Sequence, residues 1–558
     1  MLPTVTDAGR SATRPSTGSE SGLDATAQKR LVAALLAGDA FGVDRVRLRL
    51  LETHISYVFL TGTFAYKVKK AIELGFLDFS SLSSRHFFCQ EELRLNRRSA
   101  PQLYLDVVAI TGEIDAPAIG GDGPILDYAV KMREFPQQAL ASQALARGEL
   151  SPGQIDELAA DVAAFHRAIG VATLGGAFGV PEAILRIALQ NFAQIRPLAG
   201  STEVASVLDA LEQWTMREHA ARAATMLRRR EEGFVRECHG DLHLGNIALI
   251  DGRLTIFDCV EFNEQMRWID VMSEIAFAVM DLEDRGRRDL ARRFLNAYLE
   301  ITGDYEGLSL LRFYLVYRAM VRAKIAVLRS AQLDATDLQP AARAESVGYV
   351  ALARRYAQPP RPAIVITHGL SGCGKTTLSQ ALLEITGAVR IRTDVERKRA
   401  LRLESAKRVK QDIEGGLYTP QATEKTYGAV LGLTRAAAMA GYLTVVDGAF
   451  LKRWQRDMFR RLAAELRVPF AIVSFAASKA TLRGRIEQRQ GAGVDASDAD
   501  LAVLEHQLRS GEPLAVEEAA DACAYDAEAP LAEARSPARW RPLVQKLGLR
   551  DLPLAESP

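Results

Sequence analysis

Residues 369–376 read GLSGCGKT and complete the pattern G-x-x-x-x-G-K-[ST], which decides the fold of the C-terminal part of the chain. The apolar run AIVIT precedes it at 363–367, and TLSQALL follows at 377–383 as helical sequence. The motif therefore has the strand, loop, helix setting of a phosphate-cradling loop. Glycines let backbone N–H groups approach phosphate oxygens, and the following helix adds its positive N-terminal end. Gly369, Leu370, Ser371, Gly372, Cys373, Gly374, Lys375, Thr376 and Thr377 are the expected ATP-binding segment. Lys375 is placed to reach the outer phosphates and Thr376 to bind magnesium, whereas Cys373 fills a variable position.

Outward from this loop, apolar runs at 388–392, 442–447 and 468–475 alternate with helical sequence, the pattern of a parallel sheet covered by helices. Two acids end neighbouring strands. Asp394 follows the second, and Asp447 ends another in the manner of a Walker B acid, an expected magnesium ligand. Upstream, QPPRP at 358–362 breaks a helical pattern, so the main boundary is expected there. The expected organisation is a Ser-, Thr-, Gly- and Pro-rich disordered tail over 1–25, a domain over 26–357, a phosphate-loop domain over 360–528 and a C-terminal tail over 529–558.

A second constellation precedes the boundary. Residues 239–246 read HGDLHLGN, followed by the apolar run 247–250, a turn at Asp251 and Gly252, a second run at 254–257, and Asp258. Phosphoryl transfer to an alcohol needs an acid that orients the hydroxyl and accepts its proton, and oxygen ligands for magnesium on the ATP phosphates. Asp241 suits the first role, Asn246 and Asp258 the second. His239 and His243 are four apart, but Gly240 and Gly245 argue against the helix that a zinc pair would need. His166, in AAFHR, reads as a packed helix residue.

Here the sequence resembles the aminoglycoside phosphotransferase and choline kinase family, whose catalytic loop is H-G-D-x-x-x-x-N with a metal-binding Asp on the next strand. The resemblance spans roughly residues 30–355 and implies a protein-kinase-like α+β fold, with ATP and Mg2+ as cofactors and a small-molecule hydroxyl as acceptor. It also implies a strand lysine on the phosphates supported by a helix glutamate. Lys67, in the A-x-K form, is favoured over Lys69, which shares its strand face. Glu91 best matches the family register, with Glu92 the alternative. Residues 132–135 are the implied adenine hinge, and 267–270 are expected to hold the loop. The family's glycine-rich cover loop is absent near residues 52–56. From 360 to 528 the chain resembles phosphate-loop small-molecule kinases such as gluconate kinase and the chloramphenicol phosphotransferase group. That likeness implies that Asp394 faces the acceptor and that Arg485 and Arg489 are lid arginines. The order of the two halves resembles bifunctional bacterial proteins that join an aminoglycoside-phosphotransferase-like domain to an ATP-binding one. The rival reading makes one half a nucleotide sensor or ATPase module that regulates the other.

Composition agrees with such a protein. At about 100–200 residues per domain, 558 residues suggest several cores. Lysine and arginine total 70 against 69 acids, so neither a nucleic acid nor a membrane is an expected partner. Five scattered cysteines lack any C-x-x-C spacing, which argues against a disulfide framework and for a cytoplasmic location. Asp281, Glu283 and Asp284 could face a cationic antibiotic, but beside Arg285 and Arg287 they read more simply as a solvated helix end.

Overall fold

The alternating residues at 55–70 form two neighbouring strands of a six-stranded antiparallel sheet. Its strands are β1 (Arg49–Glu52), β2 (Ser56–Leu60), β3 (Phe64–Lys69), β4 (Tyr104–Glu113), β5 (Ala116–Ile119) and β6 (Ile125–Arg133), in the order β1-β2-β3-β6-β4-β5. One face packs on α1 (Ala25–Ala37), where Leu31 and Leu35 meet Phe59, Tyr66, Val68 and Ala129. The other carries Tyr104 and Val130 against Cys89 and Leu93 of α2 (Leu82–Asn96). β3 is thus covered on both sides, and its lysines must be paired rather than solvated. The short strands β7 (Val235–Glu237), β8 (Ile247–Ile250), β9 (Arg253–Ile256) and β10 (Trp268–Asp270) form two two-stranded pairs, β8 with β9 and β10 with β7.

The structure, a computed structural model, describes residues 23–43, 46–74, 77–198, 201–332, 338–400, 419–492 and 500–549. The chain divides into two units, the residues up to Ile184 with Ala224–Ala278, and Leu185–Ala223 with Val279 onward. The helix α3 (Val271–Asp284) contributes to both. The expected break at 358–362 therefore lies inside the second unit. Among the described residues no helix is long and apolar enough to cross a membrane.

The second unit contains a five-stranded, wholly parallel sheet of β11 (Ala363–His368), β12 (Val389–Arg392), β13 (Leu443–Asp447), β14 (Phe470–Ala476) and β15 (Ala522–Asp526), ordered β12-β13-β11-β14-β15. β13 is buried along its whole length, as a strand covered on both faces must be. Residues 529–549, expected as part of a tail, are instead folded. The helix Pro537–Lys546 buries Trp540, Leu543 and Val544, and the Trp540 indole donates to the Ala534 carbonyl at 2.7 Å. An apolar stripe at Trp540, Leu543, Val544 and Leu547 is the helical spacing that drives this docking. The residues 1–22 of the expected N-terminal tail lie outside the described ones.

β12 is a sheet edge, and α4 (Arg288–Thr302) covers it. Asn296 Nδ2 donates to the Ala388 carbonyl at 3.0 Å, and its Oδ1 accepts from Arg390 N at 2.7 Å, so one side chain acts as an extra rung of the ladder. Arg292 donates to the Glu384 and Ile385 carbonyls at the C-terminal end of α5 (Lys375–Thr386). Asn296→Ala would leave both edge groups buried and unpaired, with an expected loss of about 2 kcal/mol in urea unfolding of the second unit. An unchanged midpoint would show that the edge is satisfied by other means.

Candidate functional sites

On β3, Lys67 and Lys69 project to the same face toward α2. Lys67 Nζ donates to Glu92 Oε1 at 2.8 Å and to Asp258 Oδ1 at 2.6 Å, while Lys69 Nζ donates to Glu92 Oε2 at 2.7 Å and pairs with Glu261. The partner expected at Glu91 is therefore corrected to Glu92. Successive residues point about 100° apart on a helix, so only one of the two can face the sheet. Glu91 turns to Arg94, at 2.8–2.9 Å, and stands 3.6 Å from Arg267. Burial alone would lower the Lys67 ammonium, but Asp258, Glu92 and Glu261 outweigh it and hold it well above the usual lysine range. Burial likewise opposes charge on Glu92, yet the two lysines hold its carboxyl down to about 2.

The 239–246 loop is held from behind. Glu274, fully buried on α3, accepts from His239 N at 2.6 Å and Gly240 N at 3.0 Å. Gly240 has φ +88°, and a Cβ there would meet the Met266 carbonyl oxygen at 2.8 Å, so the loop requires glycine. His239 Nε2 lies 2.7 Å from the Phe257 carbonyl oxygen. At the mouth, Asn246 Nδ2 donates to Asp241 Oδ2 at 2.8 Å, and His243 Nε2 stands 3.3 Å from the same oxygen. Asp258 takes φ +65°, a strained conformation for a non-glycine residue, and its N–H donates to Tyr104 Oη at 3.2 Å. The side chains of Asp241 and Asp258 remain 36% and 39% exposed, open to a ligand, unlike the sealed Lys69. Asp241, Asn246 and Asp258 thus offer oxygen ligands of the kind magnesium takes. The 267–270 segment holds the strand that leads into the loop: Cys238 N donates to the Arg267 carbonyl at 2.8 Å, the Arg267 side chain pairs with Glu237 and Glu264, and Asp270 holds Arg229 at 2.8–2.9 Å.

Glu261 and Glu274 were not singled out from the sequence. Glu261 lies three residues after Asp258 and Glu274 four after Asp270, and an acid inside an otherwise apolar run was the available signal. His166 is buried, as expected, within 4.8 Å of ligand-type atoms of Cys238 and Glu274. Burial, aided by the Arg236 charge, pushes its pKa from 6.5 down to about 3. A base lowered in this way is neutral when folded and takes up a proton on unfolding, so its contribution is present above 6.5 and fades as pH falls toward 3. His166→Gln should therefore flatten the acid side of the first unit's stability profile, removing about 2 kcal/mol of the loss between pH 7.5 and pH 5. Parallel profiles for parent and variant would contradict this.

In the second unit, the phosphate loop runs from β11 into α5. Gly372 has φ +85°, and a Cβ there would meet the Leu482 carbonyl oxygen at 2.8 Å. Lys375 Nζ donates to the Gly369 and Leu370 carbonyls, each at 2.9 Å, which folds it over its own loop. Ser371 N donates to Gln507 Oε1 of the helix Leu501–Ser510 at 2.8 Å. Asp447 is buried at the end of β13, and its Oδ2 makes no hydrogen bond, which fits a metal ligand. Asp394, on α6 (Thr393–Ala400), pairs with Arg397 at 3.0 Å. Arg485, on α7 (Lys479–Ala492), lies against the loop: a Cβ on Gly374 would be 3.6 Å from its guanidinium. The Arg489 side chain lies outside the described residues. The acids read as a solvated helix end behave otherwise, because Asp281 is fully buried beside Arg285 and Glu283 accepts from Tyr356 Oη at 3.0 Å.

Two family matches cover most of these residues, with Lys67 and Lys69 ahead of the first. The phosphotransferase enzyme family matches residues 89–311, and an AAA domain family matches residues 364–514. Uncharacterized proteins of Mycobacterium tuberculosis and Mycobacterium bovis are each 31% identical over 455 residues, spanning 81% of this chain and 88% of theirs. The chain belongs to their family, joins a phosphotransferase-family domain to a phosphate-loop domain, and is an ATP-dependent kinase. Among solved structures, choline kinase from Cryptosporidium parvum is 11% identical, covering 58% of this chain and 96% of its own with a TM-score of 0.37. A gluconokinase from Sinorhizobium meliloti is 23% identical, covering 35% and 95% with a TM-score of 0.24. Kinases of both families use ATP and typically Mg2+.

Proposed function

We propose that the chain carries two phosphoryl-transfer sites, each moving the γ-phosphoryl group of ATP to a hydroxyl of a small molecule. The observation that carries the reading for the first site is the Lys67 ammonium held between Glu92 and Asp258, beside an open Asp241–Asn246 pair. Asp241 orients the acceptor hydroxyl and receives its proton while the acceptor oxygen bonds to the γ-phosphorus and the bond to the β,γ-bridging oxygen breaks, releasing ADP. Lys67 binds phosphate oxygens, Glu92 fixes its position and charge, and Asn246 and Asp258 are the magnesium ligands. Bound magnesium would neutralise phosphate charge as it accumulates on the leaving group.

For the second site, Lys375 and the loop amides bind the phosphates, Thr376 and Asp447 hold the metal, Asp394 orients the acceptor and Arg485 adds positive charge at the loop. The buried Asp447 Oδ2, which makes no hydrogen bond and has the Arg392 charge 3.8 Å away, supports this reading. One observation favours the rival, in which the first half senses nucleotide: where a glycine-rich cover would lie, Thr53 and Ser56 close a tight turn with Ser56 N donating to Thr53 Oγ1 at 3.0 Å. Products formed from ATP by Asp241→Asn and by Lys375→Ala decide between them. Two catalysts each lose one phosphorylated product, whereas a sensor variant alters only the rate at which the other product forms.

A further inference from the structure

α4 does more than cover a sheet edge. Glu300, near its C-terminal end and only 14% exposed, receives Arg390 at 2.6–2.7 Å through one carboxylate oxygen and stands 3.6 Å from Arg392 through the other. Each arginine leads to a different part of the phosphate-loop site. Arg390 donates to the Thr376 carbonyl at 3.1 Å and reaches Ser379 Oγ at 3.4 Å, both in the first turns of α5. Arg392 lies opposite Asp447 in the β12–β13 register, with its Nε 3.8 Å from Asp447 Oδ2. Glu300 itself falls within the stretch matched by the phosphotransferase family, residues 89–311.

We propose that Glu300 is a positioning residue for the phosphate-loop site, anchoring Arg390 under Thr376 and drawing Arg392 away from Asp447 so that this acid stays available to a divalent cation. The inference rests on the reading of Lys375, Thr376 and Asp447 as an ATP and magnesium site. The electrostatic reason is local. Arg390, Arg392, Glu300 and Asp447 have side chains only 4–14% exposed, and in such nearly dry surroundings an ion pair strengthens as the dielectric falls. With Glu300 neutral, Arg392 loses one carboxylate and keeps Asp447 3.8 Å away, so a metal must compete with that positive charge for Asp447. Thr376, whose hydroxyl is the other expected ligand, loses the support of its carbonyl at the same time. The stretch from α4 therefore supplies part of the phosphate-loop site's outer frame, which gives a physical reason for its presence in the same unit as the parallel sheet.

The test uses the full chain and a fluorescent ATP analogue, taking as the second-site signal the part of the binding that Lys375→Ala removes. Glu300→Gln is expected to raise the MgCl2 concentration giving half-maximal binding about tenfold, while binding in EDTA changes by less than about twofold. Glu300→Asp should recover part of the shift. Hydrogen exchange without nucleotide supplies a second readout: the amides at 376–380 should exchange faster in Glu300→Gln, and the 239–246 loop should be unaffected. An unchanged magnesium midpoint, or an equal loss of binding with and without the metal, overturns the positioning role. If Lys375→Ala removes no signal from the parent chain, the reading of the site itself fails, and the inference falls with it.

Discussion

Asp241→Asn is expected to lower turnover at the first site by about 10²- to 10⁴-fold, the usual range for removing a general base. Asparagine matches the shape of aspartate and offers an oxygen to Asn246 Nδ2, which now donates to Asp241 Oδ2 at 2.8 Å. The loop should keep its form, because its backbone hangs on Glu274 and Gly240 rather than on the Asp241 carboxylate. What disappears is the group that takes the hydroxyl proton as the new P–O bond forms. The effect should therefore fall on kcat, with the KM for ATP little changed, since phosphate binding belongs to Lys67 and the metal ligands. Initial rates over a range of ATP concentrations separate the two parameters. A large rise in KM with kcat intact would recast Asp241 as a nucleotide-binding residue.

The second large effect concerns stability. Glu92 is wholly buried and shared by two lysines, so Glu92→Gln leaves cations in the core without their common partner, at an expected cost of about 3–5 kcal/mol. Glu91→Gln should cost less, about 1–2 kcal/mol, because its hydrogen-bonded partner Arg94 is 47% exposed and the buried Arg267 stands farther off, at 3.6 Å, with Glu237 and Glu264 as further partners. The sign with pH follows from the depressed carboxyl. Glu92 is 4.5 when unfolded and about 2 when folded, so its stabilisation is complete above 4.5 and lost as pH falls toward 2. Urea unfolding of the two neighbouring variants tests the pairing directly, and equal losses would contradict it.

These particular residues show what the sequence could and could not disclose. The GLSGCGKT loop and the 239–246 loop were legible because phosphate and proton chemistry demand fixed residue types at fixed spacing, and their flanking strands formed where alternation placed them. The family register pointed to Glu91 where the structure uses Glu92, since the choice depends on the rotational phase of α2 against the sheet. Glu274, Asn296 and Glu300 act across long sequence separations, and nothing local distinguishes them from ordinary helix residues. The same holds for the unit division. A proline cluster marks a break in helical structure at 358–362, but which sheet α4 serves is settled by side-chain hydrogen bonds to β12. The helix Pro537–Lys546 was readable in principle, through its i, i+3, i+4, i+7 apolar spacing, despite its short length.

The most direct test of two working kinase sites is incubation of the full chain with ATP labelled in its γ-phosphoryl group, magnesium and a small-molecule metabolite extract, followed by mass spectrometry. Two working sites would put label into phosphorylated small molecules, with one set of products missing in Asp241→Asn and a different set missing in Lys375→Ala. Label recovered only as inorganic phosphate, or one product pattern unaltered by either substitution, would contradict that reading.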